Sequence, residues 1–161
     1  MDKNKLDLII NSFLKKRKNN YFIVNDRPNM IPDDQEEAYF IQNKIHSLLN
    51  SDSDKVIGRK IGCTTKVMQS YLKIDHPCAG TLRQKNCYNS NDIIDTKLFN
   101  KVGVECEIAI RLAEDIFYSK THKLEDLYPS IESVFPAIEI VDDRYSNWKN
   151  FTVNHLIADD F

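Results

Sequence analysis

Apolar and polar side chains alternate most regularly over residues 102–112. Six apolar residues fall on one face of this segment: Val102, Val104, Cys106, Ile108, Ile110 and Leu112. Gly103, Glu105, Glu107, Ala109 and Arg111 occupy the opposite face. A period of two predicts a β-strand, because successive side chains of a strand point to opposite faces. The run VFPAIEIV at 134–141 predicts a second, buried strand.

Helical spacing of apolar residues dominates the N-terminal third. Residues 3–18 predict an amphipathic helix whose basic last turn suits the helix dipole. After a loop over 25–32, which contains two prolines, a second helix should begin near Asp33 or Asp34, each followed three residues later by a glutamate. Val56–Gly62 then predicts a strand. Short helices should follow Thr64 or Thr65 and occupy 123–128.

Composition and charge narrow the class of protein. The chain has 161 residues, about one domain, with 42% hydrophobic and 29% charged residues, which is typical of a globular protein. A net charge of −2 lacks the basic excess of a dedicated nucleic-acid binder. The run KKRK at 15–18 is interpreted as a solvated helix end.

Location is predicted from cysteine usage and hydropathy. The four cysteines show no C-x-x-C spacing, so we expect reduced thiols in a cytoplasmic protein. The first residues do not form a signal peptide, since Asp7 interrupts a short apolar stretch. No 18-residue apolar run is present, so we expect no membrane-spanning segment.

Two glutamates on the alternating strand are the first candidates for chemistry. Glu105 and Glu107 point the same way, with Cβ atoms roughly 6.6–7 Å apart at two strand rises. Two carboxylates so placed repel each other unless a positive group lies between them. A hard divalent cation such as Mg²⁺, which prefers oxygen ligands, satisfies that need. The alternative is a polar strand face open to water, with Arg111 as partner.

Glu139 is the one charged residue of the second predicted strand. A lone buried carboxylate costs several kcal/mol unless it is paired, protonated or metal-bound. Placed near the E-x-E pair, it would complete an all-oxygen metal site. The alternative is a salt bridge to Lys60, Arg59 or Arg144.

Lys60 lies between Gly58 and Gly62 on the predicted Val56–Gly62 strand. Alternation places Arg59 and Lys60 on opposite faces, so only one of them can point inward. Near a metal, such a lysine can serve as a base with a lowered pKa or as a clamp for a carboxylate. The alternative is an exposed cation on an edge strand.

Four segments together resemble the fumarylacetoacetate hydrolase superfamily, and most closely its branch of 2-keto-4-pentenoate hydratases and 4-oxalocrotonate decarboxylases. These segments are RPNMIPDDQEEAYFIQ at 27–42, GRKIGCTTKVMQSYLKIDHPCAGTL at 58–82, VGVECEIAIRL at 102–112 and FPAIEIVDDRYSNWK at 135–149. The resemblance implies an α+β fold. An N-terminal helical segment would occupy 1–54, and 55–161 would form the first part of a mixed, fumarylacetoacetase-like β-roll, incomplete at the C-terminus.

The resemblance also implies a site and a reaction. Glu105, Glu107 and Glu139 would hold Mg²⁺ (or Mn²⁺), and Lys60 would be an active-site residue. The expected function is that of a divalent-metal-dependent lyase acting on small 2-oxo acids, most similar to 2-keto-4-pentenoate hydratase. In that family the substrate binds the cation through its carboxylate and 2-oxo oxygens, and the cation stabilises an enolate. We expect no nucleic-acid or membrane partner.

Two departures from the family pattern keep alternatives open. Related hydratases often carry an acidic residue after the proline of the P-x-x-G block, where this chain has Cys78. A neutral thiol is a poor substitute for a carboxylate, so a 2-oxo acid decarboxylase is the second interpretation. The family also continues beyond the position of Phe161. A fragment, a shortened non-catalytic subunit, a complementing C-terminal partner and a homo-oligomer therefore remain open.

Overall fold

The computed structural model describes residues 2–19, 31–117, 123–145 and 151–160. The chain divides into two compact units. The first unit comprises Met1–Leu98 and Arg144–Phe161, and the second comprises Phe99–Asp143. Most of the predicted loop at 25–32 lies outside the described residues, as do residues 27–30 and 146–149 of the segments that carry the family resemblance.

The two predicted N-terminal helices are confirmed as α1 (Lys3–Asn19) and α2 (Gln35–Leu49). Asp34 caps α2, because its side chain accepts a hydrogen bond from the Glu37 N–H at 2.8 Å. The Glu37 carboxylate in turn accepts from the Asp33 N–H at 2.7 Å. These reciprocal bonds satisfy backbone donors that the first turn of a helix leaves without partners.

Helices supply most of the core of the first unit. Besides α1 and α2, the core contains helix α5 (Val153–Asp159), which packs against α2. Helix α5 was not among the predicted elements. Burial of apolar side chains from these helices, about 25 cal/mol for each Å² removed from water, is the main stabilising contribution. The core residues are Ile9, Ile10, Phe13, Ala38, Ile41, Ile45, Cys78, Tyr145, Val153, Leu156, Ile157 and Ala158.

A two-stranded antiparallel sheet completes the first unit. It pairs β1 (Val56–Gly62), as predicted, with β2 (Cys78–Arg83), and its register places Lys60 opposite Gly80. Between the strands lies α3 (Lys66–Leu72). The sequence predicted Thr64 or Thr65 as the N-cap of α3. The N-cap is Thr65, whose side chain accepts a hydrogen bond from the Met68 N–H at 3.3 Å.

A buried polar network links α2, β2 and the end of α5. The Arg83 guanidinium binds the Asp54 carboxylate and donates to the His46 and Leu49 carbonyls. Arg83 also contacts Nδ1 of His46 at 3.2 Å, and His46 Nε2 lies 2.9 Å from Oδ2 of Asp160. Because arginine can only donate, Nδ1 accepts and Nε2–H donates to Asp160.

The second unit is a long β-hairpin. Strand β3 (Val102–Leu112) has the predicted bounds, and β4 (Ile131–Asp142) extends beyond the predicted 134–141 at both ends. The strands pair antiparallel along their full length. The connection contains a short helix, α4 (Leu124–Leu127), followed by a 3₁₀ turn at Tyr128–Ser130, close to the predicted helix at 123–128.

The prediction that the second strand is buried is wrong for the described chain. Ile138 on β4 is 70% exposed, and Val104 and Ile108 on β3 are 73% and 77% exposed. Apolar composition predicted burial, but burial requires a covering layer, and the described sheet that contains this hairpin has two strands only.

The described elements form a mixed helix-and-strand fold, which agrees with the α+β class. No helix within the described residues has the length and apolar character needed to cross a membrane. The β-roll and the division between residues 54 and 55 stay predictions.

Candidate metal centre

The register of the hairpin places three carboxylates on one face. Glu105 on β3 lies directly opposite Glu139 on β4, and Glu107, opposite Ala137, is two residues further along β3. Residues two apart share a face, and directly opposed residues have Cβ atoms about 4.5–5.5 Å apart. The spacing of Glu105 and Glu107 in the sequence predicted that they share a face. The position of Glu139 opposite Glu105 depends on the register of the two strands.

The three side chains converge closely enough to share one cation. Each offers a carboxylate oxygen, and the three oxygens all lie within 4.8 Å of one another. Like charges opposite each other on paired strands are destabilising. The three carboxylates together form a negatively charged patch on one face of the hairpin, and a bound cation would relieve their repulsion.

The expected burial of Glu139 favoured a metal, and here the structure corrects the expectation. Glu139 is half-buried, while Glu105 and Glu107 are exposed. The cost of a fully buried carboxylate therefore does not apply to this site. What distinguishes the cluster is the convergence of its oxygens.

Several cations proposed as alternative partners have other contacts. Arg144 forms an ion pair with the buried Asp159. Arg59 donates to Oγ1 of Thr81 at 3.0 Å. The Arg111 guanidinium lies over the Phe135 ring, 5.6 Å from its centroid, on the same face of the hairpin as the glutamates.

The donor set fits a hard divalent cation. All three ligand atoms are carboxylate oxygens, the type that Mg²⁺ and Ca²⁺ prefer, and no nitrogen or sulfur belongs to the cluster. Because two of the three side chains are exposed, the open side of the cluster can accept water or oxygen atoms of a ligand.

Lys60, the predicted catalytic residue, belongs to the first unit, whereas the glutamates belong to the second. It is half-buried on β1. Its side chain lies over Gly80, since a Cβ built on Gly80 would stand 2.6 Å from the Lys60 Cε atom. Lys60 is thus less exposed than the alternative of an exposed cation on an edge strand expects, and its catalytic role stays a prediction.

Cys78, which stands where related hydratases often carry an acid, is 1% exposed. Burial, reinforced by the neighbouring Cys63 thiol, raises the pKa of the Cys78 thiol to about 11. The thiol is therefore protonated at neutral pH. The adjacent Ala79 N–H donates to the Tyr39 hydroxyl at 3.0 Å, which fixes the start of β2 against α2.

The polar residues around Asp160 were missed from the sequence. Asp160 is 6% exposed and follows α5 in a left-handed conformation with φ of 71°. A signal was present, because Val153, Leu156 and Ile157 recur at helical spacing after Thr152. That pattern predicts α5, and the acidic residues at its end are then candidates for partners in the core.

Known proteins resemble this chain in both sequence and fold. No protein-family profile matches the chain. It is 32% identical over 126 residues to 2-keto-4-pentenoate hydratase 2 of Dechloromonas aromatica, a match that spans 78% of this chain and 47% of the relative. Identity to the 2-keto-4-pentenoate hydratase of Burkholderia vietnamiensis is 33% over 111 residues, which spans 69% of this chain and 42% of the relative. The chain thus spans about half the length of the curated relatives it matches.

Solved structures agree on the fold. A 4-oxalocrotonate decarboxylase from Pseudomonas putida G7, complexed with magnesium and adipate, matches 99% of this chain with a TM-score of 0.86 at 23% identity. The match covers 60% of that protein. The same enzyme complexed with calcium and acetate matches with a TM-score of 0.84. Over the part that it spans, the chain is therefore similar in sequence to 2-keto-4-pentenoate hydratases and similar in fold to a 4-oxalocrotonate decarboxylase.

Proposed function

We propose that this chain carries the metal centre of a divalent-metal-dependent lyase for small 2-oxo acids, similar to 2-keto-4-pentenoate hydratase. The observation that carries the proposal is the convergence of Glu105, Glu107 and Glu139 on one face of the hairpin. The hydratase names of the relatives support the reaction class.

The three glutamates would hold Mg²⁺ or Mn²⁺. The magnesium and calcium complexes of the structural relative support a divalent ion. A bound cation would polarise the carboxylate and 2-oxo oxygens of a substrate as a Lewis acid. The glutamates themselves would fix the ion in place, and their exposed side would admit the substrate.

Lys60 is proposed as the catalytic residue. Its ammonium group can bind a substrate carboxylate, and its amine form can accept a proton. The family resemblance and its half-buried place on β1 support this role.

Metal binding is tested by thermal unfolding with and without Mg²⁺. Saturation at about 100 times the dissociation constant adds roughly 2.7 kcal/mol. For a chain of this size, that corresponds to a rise of about 5–10 °C in the unfolding midpoint. We expect Glu107→Gln and Glu139→Gln to abolish the rise, and Glu132→Gln, a change on the same strand as Glu139 but outside the cluster, to keep it. An unchanged response in the two cluster variants would refute the site.

The reaction is tested by supplying 2-hydroxypenta-2,4-dienoate with Mg²⁺ and following loss of the dienol. We expect turnover that a chelator abolishes and that Lys60→Met greatly reduces. If the substrate persists while Mg²⁺ still raises the unfolding midpoint, the hydratase assignment is wrong and the metal site is retained.

A decarboxylase of the same family is the second candidate. The protonated, buried Cys78 favours it, because this position supplies no carboxylate for adding water. Carbon dioxide release from a 2-oxo dicarboxylate, without hydration of the dienol, would establish this alternative.

A non-catalytic subunit is the third candidate, supported by the exposed apolar side chains of the hairpin. A two-stranded hairpin is at best marginally stable in water, so further strands would complete a mixed β-roll. A complementing chain or a second copy could supply them. Turnover that appears only on mixing with a full-length relative would support this candidate, and turnover by the isolated chain would exclude it.

The predicted domain boundary and cytoplasmic location are retained as part of the proposal.

A further inference from the structure

We infer that Gly80 is a positioning residue for Lys60, and that Asp160 forms the other wall of the space in which the Lys60 side chain lies. This inference rests on the catalytic role proposed for Lys60. It concerns residues of β2 and of the turn after α5, which lie outside the metal centre.

The first observation is a close approach across the β1–β2 sheet. Lys60 and Gly80 are directly paired in the antiparallel register. A Cβ on Gly80 would stand 2.8 Å from the Lys60 Cγ atom and 2.6 Å from Cε. Real Cβ atoms essentially never approach other heavy atoms this closely. The Lys60 stem thus runs directly across the Gly80 backbone, in a space that any side chain at position 80 would fill.

Backbone conformation does not explain the glycine. Gly80 has no positive φ, so an alanine could adopt the same backbone without strain. Glycine within a strand also loses conformational entropy and contributes no packing. The benefit that offsets this cost is room for the Lys60 stem.

Asp160 borders the same space and is itself held firmly. Its Oδ1 lies 3.3 Å from the position that a Gly80 Cβ would take. That oxygen accepts from the Thr81 N–H at 2.7 Å, and Oδ2 accepts from His46 Nε2–H at 2.9 Å. Arg83 fixes His46 in turn. The polar network thereby anchors a carboxylate next to the Lys60 stem.

The consequence is a lysine restricted to few rotamers. An unrestrained lysine side chain loses rotamer entropy when it is fixed for catalysis. A stem that already packs on the Gly80 backbone, in a space bordered by Asp160, has lost part of that freedom on folding, so less is lost when the transition state forms.

The test compares Gly80→Ala with Gly58→Ala, a matched change on the partner strand. A Cβ at Gly58 meets only Leu82, at 3.4 Å, which is an ordinary contact. The full chain is labelled with ¹³C-lysine, and the Lys60 ¹³Cε resonance is assigned with Lys60→Arg. We expect Gly80→Ala to shift that resonance and to change the rate at which an amine-reactive ester acylates Lys60, whereas Gly58→Ala leaves both in place. If Gly80→Ala leaves the Lys60 resonance and the acylation rate as unchanged as Gly58→Ala does, the inference is overturned.

A double-mutant cycle covers the case in which Gly80→Ala unfolds the chain. In a Lys60→Ala background the obstructing stem is absent, so we expect Gly80→Ala to cost clearly less stability than it costs in the native sequence. An equal cost in both backgrounds would overturn the inference.

Activity separates this inference from the proposed function. In a catalytically active chain, Gly80→Ala should lower kcat about 10- to 100-fold with little change in KM, because a displacement near 1 Å can have that effect. A chain without turnover whose Lys60 resonance still responds to Gly80→Ala would refute the function and retain the positioning role. An active chain in which Gly80→Ala leaves kcat and the resonance unchanged would refute the positioning role alone.

Discussion

At the scale of single residues, the pairing of Glu105 with Glu139 sets the local electrostatics of the hairpin. Two carboxylates face each other across the strands, with a third beside them. Repulsion among these carboxylates opposes formation of the hairpin. With a cation, the same charges favour it.

Glu105→Gln should therefore have opposite effects in the two conditions. In the presence of a chelator, we expect the variant to be more stable by about 0.2–1 kcal/mol, because it removes a like-charge cross-strand pair. In Mg²⁺ we expect it to be less stable than the native chain. Thermal unfolding under both conditions measures this crossover. Loss of stability in the chelator as well would show that repulsion is not the dominant interaction.

The thiols should differ sharply in reactivity. Cys78 is buried with its pKa raised to about 11, whereas Cys106 is exposed on the hairpin. Since the thiolate is the reactive form, we expect Cys106 to react rapidly with an aromatic disulfide at mildly alkaline pH and Cys78 only after unfolding. Peptide mapping after a timed reaction identifies the modified residues, with Cys106→Ser as the control. Rapid labelling of Cys78 in the folded chain would contradict this prediction.

At the scale of elements, α5 begins with a titratable cap. The Thr152 N–H donates to Nδ1 of His155 at 3.1 Å, and the ring stacks edgewise on Phe151. Burial, with a smaller contribution from Lys16, lowers the pKa of His155 from 6.5 to about 4. Protonation would remove the acceptor that caps the helix.

This cap predicts a dependence of stability on pH. Below pH 6.5 the unfolded chain binds a proton at His155 that the folded chain excludes until about pH 4. The contribution of His155 is therefore fully present above pH 6.5 and is lost as the pH falls towards 4. His155→Gln retains a capping acceptor but does not titrate, so we expect a flatter profile over this window. Denaturant midpoints measured across the window for both chains test this, and parallel profiles would contradict it.

The main elements could be predicted from periodicity, but their burial could not. The alternation over 102–112 fixed β3 to the residue, and the Asp34 and Thr65 caps were within the predicted choices. Helix α5 is only seven residues long and was missed, although it supplies much of the core. Exposure of β3 and β4 depends on what packs against them, and a local pattern does not contain that information.

The candidate site, like the fold, could be predicted from the sequence only in part. Strand alternation placed Glu105 and Glu107 together, and the register then brought Glu139 opposite Glu105. The space over Gly80 could not be foreseen, because it depends on pairing between residues twenty positions apart in the chain. Such contacts arise from tertiary structure.

At the scale of the whole molecule, stability should be concentrated in the first unit. Ile157 is fully buried between the helices, whereas Ile108 on the hairpin is 77% exposed. We expect Ile157→Ala to cost about 2–5 kcal/mol, because it leaves a cavity in a close-packed core. Ile108→Ala should change stability by no more than about 0.5 kcal/mol. Urea unfolding of both variants, followed by helical circular dichroism, makes the comparison, and equal losses would show that the exposed hairpin contributes to the same cooperative core.

Arg83 also has a consequence for how this sequence can vary. Its guanidinium uses all five N–H donors, on the Asp54 carboxylate and carbonyl, on the His46 ring and carbonyl, and on the Leu49 carbonyl. Lysine has three donors on one atom and cannot span these acceptors, so the exchange would leave buried carbonyls without partners. An exchange of Arg83 for lysine is therefore not conservative although it keeps the charge, and loss of this arginine would require new partners for Asp54 at the end of the 51–54 turn.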